Sequence, residues 1–541
     1  MKRKSFAKLF TAAALSLSLL GGCIGNDNHE SRGSIGDKEV EEEPTKAPTP
    51  APEEEVTPTQ APTPTPEEEP EAEKPDYRLL QLYSYQGANF VRDPDLDEPC
   101  ASGYATHIEL MDDDLPQLKK AIEDYSTEKE KLLTDEGIND LAQIYWDNKD
   151  SGFVLPVYEK YRTDVVRADT VVTSLLTYYE DFMGGAHGVY SFNPVNFDSL
   201  TGKELHLEDV MDADMIADLP DILETKLLAS YDSELFFNAD TLSETIEESI
   251  YMNGDLNFSI GYEGLTFYFQ IYELAPYVAG HQEVFLRYDE YPGLVKDEYK
   301  ECSFNYCINT SVCSYLPHSA DEETLYAYLM DKDDYGMYNS LNIEYKGISY
   351  KETLTAYEAD FWVASIGGVN YLLVDLTHED DYETLNIYLI DEDNHRIERK
   401  SEFFGGFYGY IPADPLSFCI FEVGDVMSTY LVYKDYYIAR DGEAASTDDD
   451  YLISFWGHDG SLTLKKDITA QVRDDYDSAS YEETLKKGEK LYFYSTDKKQ
   501  WVDFKLDDGR FVHLSLDKTE WPQTIDGEDI EDIFDGVMFA G

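Results

Sequence analysis

The sequence predicts an α+β domain, an antiparallel sheet with packed helices, followed by a mostly antiparallel all-β region. Three observations carry this expectation. Between residues 77 and 300, helical stripes of apolar residues interleave with alternating apolar–polar runs. From 301 to 541, many short alternating runs follow one another, several with polar turns between them. Ahead of both, residues 24–76 are made mostly of Pro, Thr, Glu and Ala, as in "EEEPTKAPTPAPEEEVTPTQAPTPTPEEEPEAEKP", a composition that cannot bury a core.

The chain opens with "MKRKSFAKLFTAAALSLSLLGGC". Lys2, Arg3, Lys4 and Lys8 precede an apolar run over residues 9–20, too short to span a bilayer. The run ends Leu20-Gly21-Gly22-Cys23, which resembles the lipobox of bacterial lipoproteins. The resemblance implies a signal peptide over 1–22, diacylation of Cys23 and attachment to the extracytoplasmic face of a cell membrane, with a Gram-positive envelope as the natural setting. Residues 23–76 then read as a tether. In a polyproline-like conformation it reaches on the order of 150 Å, at about 3 Å per residue.

Within 77–300, "YATHIELM" (104–111) alternates as a strand. "DDDLPQLKKAIEDY" (112–125) reads as a helix start, with Leu118, Ile122 and Tyr125 on one stripe. "DTVVTSLLTYYEDF" (169–182) is a long strand rich in β-branched and aromatic residues. One helix carries Leu219, Ile222, Leu223 and Leu227; another starts at Thr241-x-x-Glu244, a capping-box pattern, and buries Leu242, Ile246 and Ile250. "NFSIGYEGLTFYFQIYEL" (257–274) gives two strands around Tyr262-Glu263-Gly264, with Phe267, Phe269 and Ile271 on one face.

Two stretches of this domain hold candidate ligand-binding residues. In "GGAHGVYSFNPVNFDSLTGKEL" (184–205), Gly184, Gly185 and Gly188 flank His187. Glycines permit positive φ and close approach of a ligand or another backbone. His187 therefore reads as a ligand contact or as a structural turn residue. As a catalytic base it needs a nucleophile and an orienting acid, and the nearest acids in sequence are Glu180 and Asp181. The chain carries neither a Gly-x-Ser-x-Gly elbow nor a His-Glu-x-x-His helix, so no catalytic residue, metal ligand or cofactor is assigned. In Ala275-Pro276-Tyr277-Val278-Ala279-Gly280, Pro276 presets the backbone and Tyr277 offers an aromatic platform. Packing of Tyr277 into its own core is the competing expectation.

Gly184-Gly185-Ala186-His187-Gly188, "VNFDSLTGKELHLEDVM" (195–211) and "GLTFYFQIYELAPYVAGHQEVFLRY" (264–288) together resemble the extracellular domain of RsiV-type anti-sigma factors, which is shared with the N-terminal region of a peptidoglycan deacetylase. The resemblance implies a secreted α+β domain of the cell envelope and, for the anti-sigma members, binding of lysozyme, a strongly cationic protein. The chain departs from both kinds of member. It has a lipobox where the anti-sigma factors have a cytoplasmic segment and a transmembrane helix, and it lacks the deacetylase Thr-Phe-Asp-Asp motif.

In the C-terminal region "NYLLVDL", "LNIYLID", "STYLVYKDYYIA", "YLISFW", "KLYFYSTD" and "RFVHLSL" are strand candidates, with turns at His458-Asp459-Gly460 and Asp507-Asp508-Gly509. They predict a sandwich or barrel; a propeller is disfavoured for want of a fixed repeat. Trp362, Trp456, Trp501 and Trp521 fit core packing as well as sugar stacking. "DKDDYGMYNSLN" (331–342) departs from an EF-hand loop at Tyr335 and Asn342. Beyond Cys23 the cysteines are Cys100, Cys302, Cys307, Cys313 and Cys419, an odd number, with at most one local disulfide expected among the middle three.

The formal charge is −69, from 111 acidic and 42 basic residues. Such a surface repels nucleic acid, whose binding needs clustered Lys and Arg, and favours cationic partners. The sequence thus points to a lipid-anchored binding module for an envelope ligand, either a lysozyme-like cationic protein or peptidoglycan. The alternative is a cell-wall glycan hydrolase using an unidentified carboxylate pair.

Overall fold

Strand β1 (Leu82–Arg92) and strand β2 (Pro99–Leu110) form an antiparallel pair. β2 is buried on both faces, with Ala101 and Ala105 on one and Ile108 and Leu110 on the other. Helix α1 (Pro116–Glu130) follows, with Pro116 in its first turn, where a missing N–H costs nothing. Leu118, Ile122 and Ser126 line its buried face. Ser126 Oγ donates to Ile108 O and accepts from Ile108 N, each at 3.0 Å, so a serine in the core is fully satisfied. Helix α2 (Asp135–Asn148) is capped by Thr134, which accepts from Gly137 N. The two helices form a crossover, and β3 (Val157–Ala168) consequently runs parallel to β2. This pair departs from the expected antiparallel sheet. The computed structural model describes residues 77–149, 156–319, 323–379, 382–455, 460–519 and 521–539. The expected signal peptide, the expected lipidation site Cys23, the expected tether, Trp456 and the His458-Asp459 pair lie outside them.

Strands β4 (Val172–Phe182) and β5 (Val189–Asp198) continue the sheet antiparallel to β3. Residues 172–177 of β4 are buried on both faces. Leu175, with Val165, Val195 and Phe197, packs under α1. Val172 faces the second layer, built from α3 (Leu207–Val210), α4 (Ala213–Ser230), α5 (Leu242–Asn253), β6 (Phe258–Ile260), β7 (Gly264–Phe269) and β8 (Gln282–Arg287). Leu219, Leu223 and Leu227 of α4 and Leu242 and Ile246 of α5 are buried there. Thr241 makes no capping-box bond: its φ/ψ of −131°/26° follows a 3-10 turn at Ala239–Thr241 and takes the hydroxyl out of position. Strand β7 ends at Phe269 rather than running on through Ile271, because Gln270 N bonds to Glu273 Oε2 (2.8 Å) and turns the chain.

Arg167, fully buried at the end of β3, fastens this layer. Its Nε donates to Asp169 (2.7 Å), and its terminal nitrogens donate to the carbonyls of Tyr299 (2.7 Å) and Glu301 (2.9 Å). A buried guanidinium holds only when each donor is met in this way.

The C-terminal region is largely β. Strand β9 (Tyr306–Asn309) is followed by a three-stranded sheet of β10 (Tyr326–Met330), β11 (Tyr338–Tyr345) and β12 (Ile348–Ala356). Then come β13 (Glu358–Ile366), β14 (Val369–Thr377), β15 (Glu383–Asp391) and β16 (Arg396–Phe403), which with β9 form a five-stranded antiparallel sheet. Leu341 and Ile343 of the first sheet meet Leu372 and Val374 of the second in one core, a sandwich. The acidic 331–337 segment is the connection between β10 and β11: Asp333 Oδ1 accepts from Tyr335 N and Met337 N, both at 2.9 Å. Strand β17 (Tyr410–Ile411) pairs with β1, placing a short piece of the C-terminal region on the edge of the N-terminal sheet. Strands β18 (Phe418–Asp425) and β19 (Thr429–Ile438) open a final eleven-stranded sheet. Cys100, Cys302, Cys307, Cys313 and Cys419 are all thiols. Cys302 and Cys313 share one apolar cluster, while Cys307 faces another. Trp362 packs against Phe407, Trp501 against His513, and Trp521, 67 % exposed, against Phe539. No helix among the described residues is long and apolar enough to cross a membrane.

Candidate functional site

Beyond residue 177, β4 runs past the core: residues 178–182 are half-buried. The turn to β5 is therefore carried out into solvent. Gly184 and Gly185 take φ of +91° and +116°, in the region L side chains avoid. Gly188 has a different reason to lack a side chain, since a Cβ there would lie 2.1 Å from Asp181 O. His187, at the tip, is exposed.

Ninety residues later, Pro276 (φ −67°) starts a 3-10 turn at Tyr277–Ala279. This turn brings Tyr277 onto His187. The rings stack at 4.0 Å and 26°. The Tyr277 hydroxyl and His187 Nδ1 both donate to Gly188 O, at 3.3 and 2.9 Å. With Nδ1 held as a donor, Nε2 of the neutral ring is an acceptor. Tyr277 thus packs on a second loop and not into the core beneath it. His187 and Tyr277 meet directly, Pro276 shapes the turn, and Gly185 sits at the tip with open space around its Cα.

The pair heads a run of aromatic rings that single-stretch reasoning missed. Tyr190 lies 6.1 Å from Tyr277, and Phe192 stacks near His281 (4.0 Å) and Tyr268 (5.9 Å). Tyr178 flanks Phe192 at 5.3 Å, and Tyr272 flanks Tyr277 at 5.9 Å. The alternation of Tyr190 and Phe192 along β5 was the available signal. β5 is the sheet's edge, and Gln270 pairs with it as a further strand would: its amide accepts from Phe192 N (3.0 Å) and donates to Phe192 O (2.6 Å). Val278, Tyr272 and Val189 stand 89 %, 54 % and 47 % exposed around the rings. Carboxylates edge the patch: Asp181 accepts from Val189 N, Glu180 from Tyr158, and Glu283 lies 3.9 Å from His281.

A cleft of about 620 Å³ adjoins through the 270–276 turn. Its lining includes the carboxylates of Glu204, Glu208, Asp255 and Glu273 and no Lys or Arg. His206 Nδ1 bonds Asp255 at 2.7 Å, and that bond raises the His206 pKa. Burial raises the Glu273 pKa. Among the described residues no His, Cys, Asp or Glu side chains are grouped three together so as to hold a metal ion.

Helices over a mostly antiparallel sheet, with the aromatic loops at one end, define an α+β domain of the kind expected. Residues 208–289 match the family model described as a protein of unknown function, DUF3298. The match takes in Pro276 and Tyr277 and begins after His187. Among solved structures, the chain is similar to a DUF3298 family member from Bacteroides fragilis (19 % identity, TM-score 0.31, covering 40 % of this chain and 94 % of that one). It is also similar to a DUF3298 family protein from Pseudomonas aeruginosa PAO1 (16 % identity, TM-score 0.28, covering 41 % and 96 %). No curated protein matches the chain.

Proposed function

We propose that this chain is a lipid-anchored envelope protein whose N-terminal domain captures a cationic protein on the face built around His187 and Tyr277. One observation carries the reading: two loops ninety residues apart converge to stack an exposed His187 on a half-buried Tyr277 at the surface, outside the apolar core clusters. Aromatic faces bind Lys and Arg side chains through cation–π contact, each worth about 0.5–2 kcal/mol. The carboxylate-lined cleft beside them accepts a further basic group, and the overall charge of −69 steers such a partner inward. The lipobox resemblance supports anchoring through Cys23. The RsiV-type resemblance supports a lysozyme-like muramidase as the cationic partner, with peptidoglycan as the other candidate ligand.

The test is a titration of the full chain with a c-type lysozyme at low and moderate salt. Binding at low salt that weakens as salt rises is expected, and Tyr277→Ala should cost about tenfold or more in affinity. No retention at low salt, or an indifferent Tyr277→Ala, sinks the proposal. Salt-insensitive sedimentation with purified wall would transfer the face to peptidoglycan.

A further inference from the structure

A further Gly-Gly-x-x-Gly run, Gly405-Gly406-Phe407-Tyr408-Gly409, lies between β16 and β17. This loop is pressed on three sides. A Cβ on Gly405 would lie 1.9 Å from Phe421 O in β18, and Gly406 exchanges two backbone bonds with Phe421 (3.0 and 2.9 Å). Ser84 N of β1 donates to Gly409 O at 2.7 Å. On the third side stand two carboxylates. Phe407 N donates to Asp375 Oδ2 at 2.9 Å, and Tyr408 N donates to Glu383 Oε2 at 3.1 Å.

The two carboxylates also crowd each other. A Cβ on Gly406 would lie 2.1 Å from Glu383 Oε2 and 2.4 Å from Asp375 Oδ1, so these oxygens are at most about 4.5 Å apart. Asp375 Oδ1 is shielded from solvent and has no hydrogen-bond partner among the described residues. Tyr408 is held at φ +47°, a left-handed conformation a tyrosine avoids when free.

The surroundings add negative charge. Asp360 stands opposite Asp375 in the β13–β14 register, with Glu358 on its own strand and Asp164 of β3 nearby. Glu422 of β18 abuts Gly405, and the Tyr83, Tyr382 and Tyr408 hydroxyls lie in the same electrostatic neighbourhood. Among the described residues, Arg162 is engaged with Asp164 and Lys498 with Glu422. Like charges held this close away from water favour one shared proton over two ionised groups. Burial, and then Glu383, pushes the Asp375 carboxyl well above the usual range.

We propose that Asp375 and Glu383 form an acid-closed clasp on residues 405–410. While the pair holds one proton, both carboxyl groups grip the loop amides. Loss of that proton to solvent leaves two repelling carboxylates under the strained Tyr408, and the loop loosens. Because Tyr410–Ile411 pairs with β1 immediately afterwards, the clasp governs how firmly the C-terminal region is joined to the N-terminal sheet.

Hydrogen exchange on the full chain, corrected for intrinsic rates, tests this at the Phe407 and Tyr408 amides. Their protection should fall about tenfold or more between mildly acid and mildly alkaline pH. In Asp375→Asn, where one partner is permanently neutral, it should stay high throughout; Glu383→Gln is the second variant. A flat wild-type profile, or the same fall in both variants, overturns the proposal. Should neither variant fold, the wild type decides: loss concentrated in 404–411 supports the clasp, and a uniform loss across the sheets rejects it.

Discussion

Residues 184–188 and 405–409 read almost alike, Gly-Gly-Ala-His-Gly and Gly-Gly-Phe-Tyr-Gly, yet they do opposite things. In the first, Gly184 and Gly185 touch nothing where a Cβ would be and serve only to turn the chain. In the second, Gly405 and Gly406 are buried, and a Cβ on either would strike a carbonyl or a carboxylate. One run carries an exposed histidine out to stack on the half-buried Tyr277; the other lets backbone lie flat against two acids. Glycine thus marks a place where a side chain is unwelcome, and only the surroundings say whether conformation or space is the reason.

Substitution separates the two reasons. Gly406→Ala should cost about 3 kcal/mol, because its Cβ would meet Glu383 Oε2 and Asp375 Oδ1, which the Phe407 and Tyr408 amides hold in place. Urea unfolding measures it, and a loss under about 1 kcal/mol would break the contrast. The next effect in size is a dependence on pH. Asp375 is raised in the folded chain, so between the usual carboxylate pKa of about 4 and its folded value the native state binds more protons than the unfolded one. Its contribution to stability is full at the acid end of that window and is lost as pH rises through it. Against Asp375→Asn, wild-type stability should decline by up to about 1.4 kcal/mol per pH unit there; a rise in the same comparison would reverse the assignment. Smallest are the changes in the open run. Gly185→Ala should cost about 1 kcal/mol, for backbone strain alone. His187→Ala should stay within about 0.5 kcal/mol, so that thermal melts barely move. A large loss from His187→Ala would mean that its stack with Tyr277 serves stability first.

Much of the scaffold was legible because it rests on local pattern. Leu118 and Ile122, Leu219 with Leu223 and Leu227, and the 385–391 run appear where periodicity puts them, and the β-branched and aromatic 169–182 run forms its strand from Val172. His187 and Tyr277 were each singled out by neighbouring Gly and Pro, but their stacking depends on a chain reversal that no local pattern encodes. Asp375 and Glu383 were invisible for another reason. They are two among 111 acids, and what distinguishes them is a glycine loop laid over them from a later part of the chain. Arg167 looks like any strand arginine until the carbonyls of Tyr299 and Glu301 arrive around it. The Thr241 capping box failed because the preceding 3-10 turn rotates its side chain away.

The pairing of Leu82 and Tyr83 with Ile411 and Tyr410 sets an order on biogenesis. A ribosome delivers β1 more than three hundred residues ahead of its outer neighbour. Until that neighbour emerges, the first sheet offers an unpaired rim to any other nascent strand. A chain halted or clipped before residue 410 would therefore bare the Leu82–Tyr83 backbone of its oldest strand, far from the break itself.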